Sequence, residues 1–227
     1  MGLDVGKVKV LGTLLRCCFS ALVVLLLVGR VSLAAPIKAD VQEENLSFPY
    51  GEARYPVVKL ENDAAARRIN AVLKGEVDAF CRQMQQDRRR NGKAMGKMSY
   101  RVTCNKANVF SCILEEARNM KGKNSGTVQQ KAYIFKLKSG HQATYDDVWA
   151  IAVAAGKEEL YDEQGLVEKL YRQTERAGVA LDFQGLAYPP TNLYMDSKLR
   201  FHMLLQPGEV TDASAGAIDI DIDEEDW

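Results

Sequence analysis

The chain has 227 residues with 30 basic and 30 acidic side chains, so its formal net charge at pH 7 is zero and indicates no class of partner. Hydrophobic residues make up 47% of the chain, an ordinary share for a globular protein that excludes disorder across the whole sequence. The length is enough for one domain, or for two small domains that share a core.

The first 34 residues have the organisation of a secretory signal peptide. Basic residues precede a run of small and apolar residues at 17–29, and we expect cleavage between Ala34 and Ala35. The alternative is an uncleaved anchor, although the run is shorter than the about 20 residues that a membrane-spanning helix needs. We therefore predict an extracytoplasmic protein, periplasmic or secreted, that meets the membrane only where the signal is not cleaved.

Beyond the signal, the pattern predicts three segments. A polar lead-in occupies 35–50, an N-terminal α+β half occupies 51–138, and a C-terminal α+β half occupies 139–227 and ends in an acidic tail. We predict an α+β fold in two halves of similar size, with antiparallel sheets built from hairpins and amphipathic helices packed on one face.

The N-terminal half contains one amphipathic helix, which starts at Ala65 and ends in a basic loop at 88–93. The apolar residues of this helix recur at intervals of three and four positions, so they form a single stripe that faces the core. That stripe comprises Ile69, Val72, Leu73, Val77, Phe80 and Met84. β-Prone runs bounded by turn residues predict strands at 55–60, 100–104, 109–114 and 128–138.

The C-terminal half opens with a capping box, in which the Thr144 hydroxyl accepts from a first-turn amide and Asp147 reaches back. A longer helix follows, and Gly165 weakens its middle. Three predicted strands complete the half, at 192–195, 199–205 and 217–222.

Three cysteines remain after removal of the signal, which carries Cys17 and Cys18. An oxidising compartment permits a disulfide among Cys81, Cys104 and Cys112. An odd number leaves at least one thiol unpaired or paired between chains, and the sequence leaves the pairing open. The spacing matches no metal motif.

No residue is predicted to be catalytic. Only His141 and His202 offer a base at neutral pH, and neither lies in a motif of nucleophilic catalysis. His202 sits in an apolar strand, as structural histidines do, and His141 follows a turn glycine.

One pattern is compatible with a metal ion. Alternation places Asp219, Asp221 and Asp223 on one face of a strand, where carboxylates in a row suit a hard cation such as calcium. The alternative is an edge strand whose charges face water and block edge-to-edge pairing, and we adopt it. We therefore predict no metal and no cofactor.

A basic segment lies between Arg82 and Lys106 and includes one acid, Asp87. Such a segment suits polyanions such as teichoic acid or anionic lipid, and a solvated loop is the alternative. It lacks the interleaved aromatic residues on which the bases of a single-stranded nucleic acid would stack. Export also argues against nucleic acid as a partner.

Several stretches carry a resemblance to a known family, at 100–111, 133–140, 143–149, 192–201, 206–210 and 215–218. Together they resemble the extracytoplasmic domain shared by RsiV-type anti-sigma factors and the N-terminal region of PdaC-type peptidoglycan deacetylases. The resemblance covers about residues 50–222. It implies an α+β ectodomain that binds lysozyme in RsiV-type proteins and otherwise accompanies cell-envelope enzymes.

The resemblance does not extend to the regulation of a sigma factor or to deacetylation, because we expect neither a cytoplasmic sigma-binding region nor a deacetylase domain. Many relatives also carry a Gly-Gly-Ala-His segment after the second hairpin strand, where this chain has a different sequence at 121–126.

The resulting hypothesis is a non-catalytic binding module that recognises an envelope component or a protein such as lysozyme. The alternatives are an envelope hydrolase acting on peptidoglycan and a structural partner of another envelope protein. Loops carry recognition more often than strands do. The candidate contact residues are Arg88, Arg89, Arg90, Lys93, Lys121, Lys123, Asn124, Tyr188 and Tyr194.

Overall fold

The strands of the chain form two sheets in a computed structural model that describes residues 35–90, 92–119, 126–182 and 185–224. The five-stranded sheet has the order β1-β2-β3-β4-β5 and contains β1 (Asp40–Phe48), β2 (Gly51–Lys59), β3 (Met95–Lys106), β4 (Val109–Asn119) and β5 (Thr127–Lys136). The three-stranded antiparallel sheet contains β6 (Leu193–Met195), β7 (Phe201–Leu205) and β8 (Ile218–Asp221). The predicted signal peptide, with Ala34, lies outside the described residues.

The α-helices of the described ranges are α1 (Asp63–Arg90), α2 (Tyr145–Ala154), α3 (Glu158–Tyr161) and α4 (Glu163–Arg176), and a short 3-10 helix spans Ala213–Ala215. The predicted α+β class is confirmed. Within the part of the chain that the structure describes, no helix combines the length and the apolar character needed to cross a membrane.

The five-stranded sheet lies between α1 and the three-stranded sheet. On β4, Phe110 and Leu114 pack with Leu73 of α1, whereas the alternate residue Ile113 packs with Leu204 of β7. This alternation follows from the two-residue period of a strand, which sends successive side chains to opposite faces. β4 is therefore covered on both faces.

The two predicted halves share a core. Ile134 of β5 belongs to the same hydrophobic cluster as Val148, Leu166 and Met203 of the C-terminal half. The chain from Pro36 onward forms one compact unit.

One strand pair departs from the predicted antiparallel arrangement. Residues 51–53 of β2 pair in parallel with residues 96–98 of β3, so the larger sheet is mixed and that part of the prediction was wrong. The 28-residue α1 is about 42 Å long and returns the chain to the end from which β2 started. A Cβ at Gly51 would lie 1.9 Å from the Gly96 oxygen, so glycine permits this close strand contact.

The segment predicted as a polar lead-in contains β1. Its nine residues pair with β2 from Asp40 opposite Lys59 to Phe48 opposite Gly51, without a bulge. Most of them are exposed, and the apolar alternation that predicts a half-buried strand is missing. Backbone pairing with β2 fixes this strand, and the half-buried side chains of Val41, Leu46 and Phe48 pack against the core.

The basic run at the end of α1 is helical. The structure places residues 88–90 in the last turn of the helix, so the predicted loop at 88–93 was wrong for these residues. Cations at this end offset the partial negative charge of the helix C-terminus. The guanidinium of Arg88 also lies 5.4 Å from the centroid of the Tyr50 ring.

The predicted longer helix is interrupted. Asp162 separates α3 from α4, and its carboxylate accepts from the Gly165 amide at 2.7 Å as the N-cap of α4. A Cβ on Gly165 would lie 2.0 Å from the Glu159 oxygen. Gly165 therefore sits in the first turn of α4, at a close contact with the preceding helix, and not in the middle of one helix.

Cys81, Cys104 and Cys112 are free thiols in this structure. Cys112 is buried between α1 and the sheet, and the loss of solvation raises the pKa of its thiol.

Candidate functional site

Two adjoining clefts run along the outer edge of β5. The first has a volume of about 440 Å³ and lies between β5, the start of α2 and residues 189–193. The second has a volume of about 410 Å³ and lies between β5, residues 191–192 and residues 206–209. Both are lined by Ala132, Gln142 and Thr191, so they form one continuous groove, called here the β5 groove.

The wall formed by α2 is fixed by the predicted capping box. The Thr144 side chain accepts from the Asp147 amide, and the Asp147 carboxylate accepts from the Thr144 amide at 3.0 Å. Asp147 also forms an ion pair with Lys136 of β5 at 2.6 Å. These contacts fix the start of α2 against the sheet edge.

The side-chain amides of Asn192 and Gln206 occupy the edge of β5. Gln206 accepts from the Gln130 amide at 2.9 Å and donates to the Gln130 oxygen at 2.5 Å. Asn192 accepts from the Ala132 amide at 2.7 Å and donates to the Gln130 oxygen at 3.1 Å and to the Leu204 oxygen at 2.8 Å. A side chain that both donates to and accepts from the backbone of one extended segment is called here an amide clasp.

The remaining backbone groups at this edge pair with the segment that follows β5. The Lys136 amide donates to the His141 oxygen at 2.9 Å, and the Ala143 amide donates to the Ile134 oxygen at 2.8 Å. Between residues 130 and 136, most of the groove-side backbone groups of β5 are therefore already hydrogen-bonded within the described part of the chain, and the exceptions are the Ala132 oxygen and the Ile134 amide.

Two polar side chains at the junction of the clefts are available to a ligand. Gln142 and Thr191 are exposed, and within the described residues neither side chain has a hydrogen-bond partner. An amide and a hydroxyl each offer both a donor and an acceptor.

The other end of the groove is aromatic and apolar. Tyr145 lines the first cleft together with Pro189 and Pro190. Tyr188 packs edge-on against Tyr145, with ring centroids 5.6 Å apart, and Trp149 lies 6.3 Å from Tyr145. Burial and the hydrogen bond with Tyr188 raise the pKa of Tyr145, so the Tyr145 phenol remains a neutral hydrogen-bonding group.

A second concentration of polar groups surrounds His202 of β7. Its Nδ1 lies 3.1 Å from Asp219 Oδ1, and its Nε2 lies 3.5 Å from Asp196 Oδ2. The Tyr194 ring stacks on the imidazole with centroids 4.6 Å apart, and the Tyr194 hydroxyl donates to Asp219 Oδ2 at 2.5 Å. The side chain of His202 is 11% exposed.

Arg200 closes this cluster on the side of Asp196. Its Nε and Nη2 donate to Asp196 Oδ2 at 3.0 Å and 2.8 Å, and it forms a further ion pair with Asp221. Burial opposes the charge of Asp196, but the hydrogen bonds from the Arg200 and Lys198 amides and from the guanidinium lower the pKa of Asp196 to about 2.

The pKa values around His202 move in the directions expected of a charged network. Burial opposes the imidazolium, but the hydrogen bond and charge of Asp219, with the charges of Asp221 and Asp196, raise the pKa of His202. Burial likewise opposes the Asp219 carboxylate, but hydrogen bonds from His202 and Tyr194 lower its pKa. Burial dominates at Asp221 and raises its pKa.

No protein-family model matches the sequence, and no curated protein matches it. Among solved structures, the chain is similar to a member of the DUF3298 family from Bacteroides fragilis NCTC 9343, with a TM-score of 0.49 and 13% identity over 81% of this chain and 89% of that one. A DUF3298 family protein from Pseudomonas aeruginosa PAO1 gives a TM-score of 0.46 and 12% identity over 82% and 88%. These structural neighbours carry a domain of unknown function. At this level of similarity they indicate neither a ligand nor an activity.

The three aspartates considered for a metal have separate partners. Asp219 is bound to His202, Asp221 pairs with Arg200, and Asp223 pairs with Lys157 at 3.3 Å. In the described ranges, no group of three or more histidine, cysteine, aspartate or glutamate side chains is placed to hold a metal ion. Each of the three carboxylates is therefore engaged by another side chain of the same chain.

The candidate contact residues predicted from the sequence lie in different places. Tyr188 is exposed and packs on the wall of the β5 groove, whereas Tyr194 is buried between the sheets, with 4% exposure. Residues 88–90 end α1, and Lys93 lies in the turn before β3. Lys121, Lys123 and Asn124 lie outside the described residues.

Sequence reasoning missed Gln142 and did not single out Thr191, although it named the segment from Tyr188 to Tyr194 as a candidate contact surface. Each is a single exposed polar residue in a connecting segment, and they are brought together only by the return of the chain at 189–193. No spacing in the sequence signals that approach.

Proposed function

We propose that the chain is an exported, non-catalytic binding module of the cell envelope and that the β5 groove is its ligand site. The single observation that carries this proposal is the pair of partner-free polar side chains, Gln142 and Thr191, at the junction of two connected clefts. Each cleft has a volume in the range of small-molecule sites, and concave sites with a few converging polar groups on a mainly apolar wall are typical of ligand binding.

The geometry around His202 argues for binding rather than catalysis. A general base must reach the proton that it abstracts. Both nitrogens of His202 face carboxylates, and one face of the ring is covered by Tyr194. Asp219 and Asp221 have pKa values shifted in opposite directions, as acid–base pairs do, but His202 and Arg200 already engage them.

Export and the envelope partner rest on the sequence. The N-terminal 34 residues have the composition of a secretory signal, and the resemblance to the RsiV-type and PdaC-type ectodomains favours an envelope component or a protein such as lysozyme as the partner. Cell fractionation and N-terminal sequencing of the exported protein test this part, and we expect the mature chain to begin at Ala35.

The binding proposal is tested with the chain purified from Ala35 onward, incubated with insoluble peptidoglycan and separately with lysozyme. Soluble products are measured in the same samples. We expect saturable binding without product. The variant Gln142→Ala/Thr191→Val should weaken binding, whereas Gln86→Ala, an exposed glutamine on α1, should leave it unchanged. Product formation that His202→Gln abolishes would establish a hydrolase instead.

A structural partner is the second candidate function, and the surface of α2 favours it. Ile151 and Val153 are 54% and 49% exposed, although both are large apolar side chains. A double substitution to serine should abolish capture of an envelope protein if this surface binds it. Unchanged capture would leave the β5 groove as the binding surface.

A further inference from the structure

We infer that the β5 groove takes a neutral oligosaccharide chain, and not a peptide strand or a polyanion. This inference rests on the proposed function, because it names the chemical class of the ligand for the same site. It follows from three properties of the groove: its occupied backbone edge, the sign of its charges, and the side chains that remain free.

The occupied edge excludes a peptide that binds by adding a strand. Such a peptide needs free backbone donors and acceptors at the sheet edge. The amide clasps of Asn192 and Gln206 use both groups of residue 130 and the amide of residue 132, and residues 141–143 use the oxygen of residue 134 and the amide of residue 136. A peptide in the groove would therefore meet two open backbone groups, the Ala132 oxygen and the Ile134 amide, and not the continuous row that an added strand needs.

The charges exclude a polyanion. Of the charged side chains that line the two clefts, Asp146 and Glu209 are acidic. The single cation among them, Lys131, forms ion pairs with Glu76 at 2.7 Å and with Glu116 at 2.9 Å. A phosphate or carboxylate polymer would meet unbalanced negative charge, which disfavours its binding.

The groups that remain free suit a sugar chain. The amide of Gln142 and the hydroxyl of Thr191 can each donate to and accept from ligand hydroxyl or acetamido groups. The apolar wall formed by Tyr145, Pro189 and Pro190 offers a surface for the carbon–hydrogen faces of the rings. Two connected clefts, each the size of a small-ligand site, provide room for more than one sugar unit.

The inference is tested by titrating the chain from Ala35 onward with chitotetraose and with cellotetraose, followed by calorimetry and by backbone amide shifts. Polyphosphate and tetraalanine are the comparison ligands. We expect saturable binding of at least one tetrasaccharide, with shifts at Gln142 and Thr191, and no binding of the comparison ligands. Loss of one or two neutral hydrogen bonds should weaken binding about tenfold in Gln142→Ala/Thr191→Val, and Gln86→Ala should bind like the parent chain.

Each other outcome contradicts the inference in a distinct way. Tetrasaccharide binding that the double variant retains, or shifts that fall elsewhere, would place the sugar outside the β5 groove. Binding of polyphosphate or tetraalanine with shifts in the groove would replace the sugar by that ligand. If the parent chain binds peptidoglycan or lysozyme but neither tetrasaccharide, the inference is wrong and the proposed function stands. If it binds none of these, both are wrong.

Discussion

Replacement of Asn192 by alanine tests whether an amide clasp joins the two sheets. Asn192 binds both β5 and β7, and its removal leaves the Ala132 amide and the Leu204 oxygen without their partner. Both groups belong to buried residues, whereas the Gln130 oxygen keeps its bond from Gln206. An unsatisfied buried backbone group costs about 1–3 kcal/mol, so we expect the free energy of unfolding to fall by about 2–4 kcal/mol.

The assay is urea unfolding followed by tryptophan fluorescence and by far-UV circular dichroism. For a domain of this size, the expected loss lowers the melting temperature by about 5–15 °C. The matched control is Asn45→Ala, because Asn45 is exposed on β1 and makes one 3.5 Å contact, with Glu43. We expect that control to change the free energy of unfolding by less than about 0.5 kcal/mol. A loss in Asn192→Ala no larger than in the control would refute the reasoning.

Three further predictions concern the pH response and the helices. Since the pKa of His202 is raised above its ordinary value of about 6.5, its stabilising contribution is complete below that value and is lost as the pH rises through the folded-state pKa. Urea unfolding should therefore show that the free energy of unfolding of the parent chain falls between pH 5.5 and pH 9, and that this fall is absent in His202→Gln. An equal fall in both proteins would contradict the prediction. Gly165→Ala should lower the free energy of unfolding by about 1–3 kcal/mol because of the clash with Glu159, whereas Gly75→Ala, with open space around it in α1, should raise it by up to about 1 kcal/mol. Thr144→Ala should lower the free energy of unfolding by about 1 kcal/mol because the cap of α2 is lost. Thermal melts in which Gly165→Ala or Thr144→Ala is as stable as Gly75→Ala would contradict the local geometry.

The elements with a strong local signal could be predicted from the sequence. The stripe from Ile69 to Met84 predicted α1, and Thr144 with Asp147 predicted the start of α2. The turn before Val109 predicted the β3–β4 hairpin. In each case the residues that decide the structure are close together in the chain, so a short window contains the whole signal.

The elements that depend on distant partners could not be predicted. β1 is a polar strand held by β2, and the parallel pairing of β2 with β3 depends on where α1 returns the chain. The break at Asp162 depends on the close approach of Gly165 to the preceding helix. These features arise from tertiary contacts that override local propensity.

The candidate site was less predictable than the fold. Tyr188 was named from the sequence because loops carry recognition more often than strands do, and it does pack against the groove wall. Gln142 and Thr191 have no such signal, since what matters is that neither has a partner after folding. Tyr194 was expected at a contact surface, but stacking on His202 and a bond to Asp219 account for its chemistry.

The larger sheet has two unlike edges. Side-chain amides close β5, whereas β1 has no strand on its outer side within the described residues. β1 carries Asp40, Glu43 and Glu44 and no basic residue. Two molecules that met at this edge would therefore place like charges opposite each other. Since β5 is closed, molecules that paired along β1 would stop at a dimer. A few carboxylates on one strand oppose this pairing, and acid or high salt, which neutralise or screen them, are the conditions in which the purified protein is expected to dimerise.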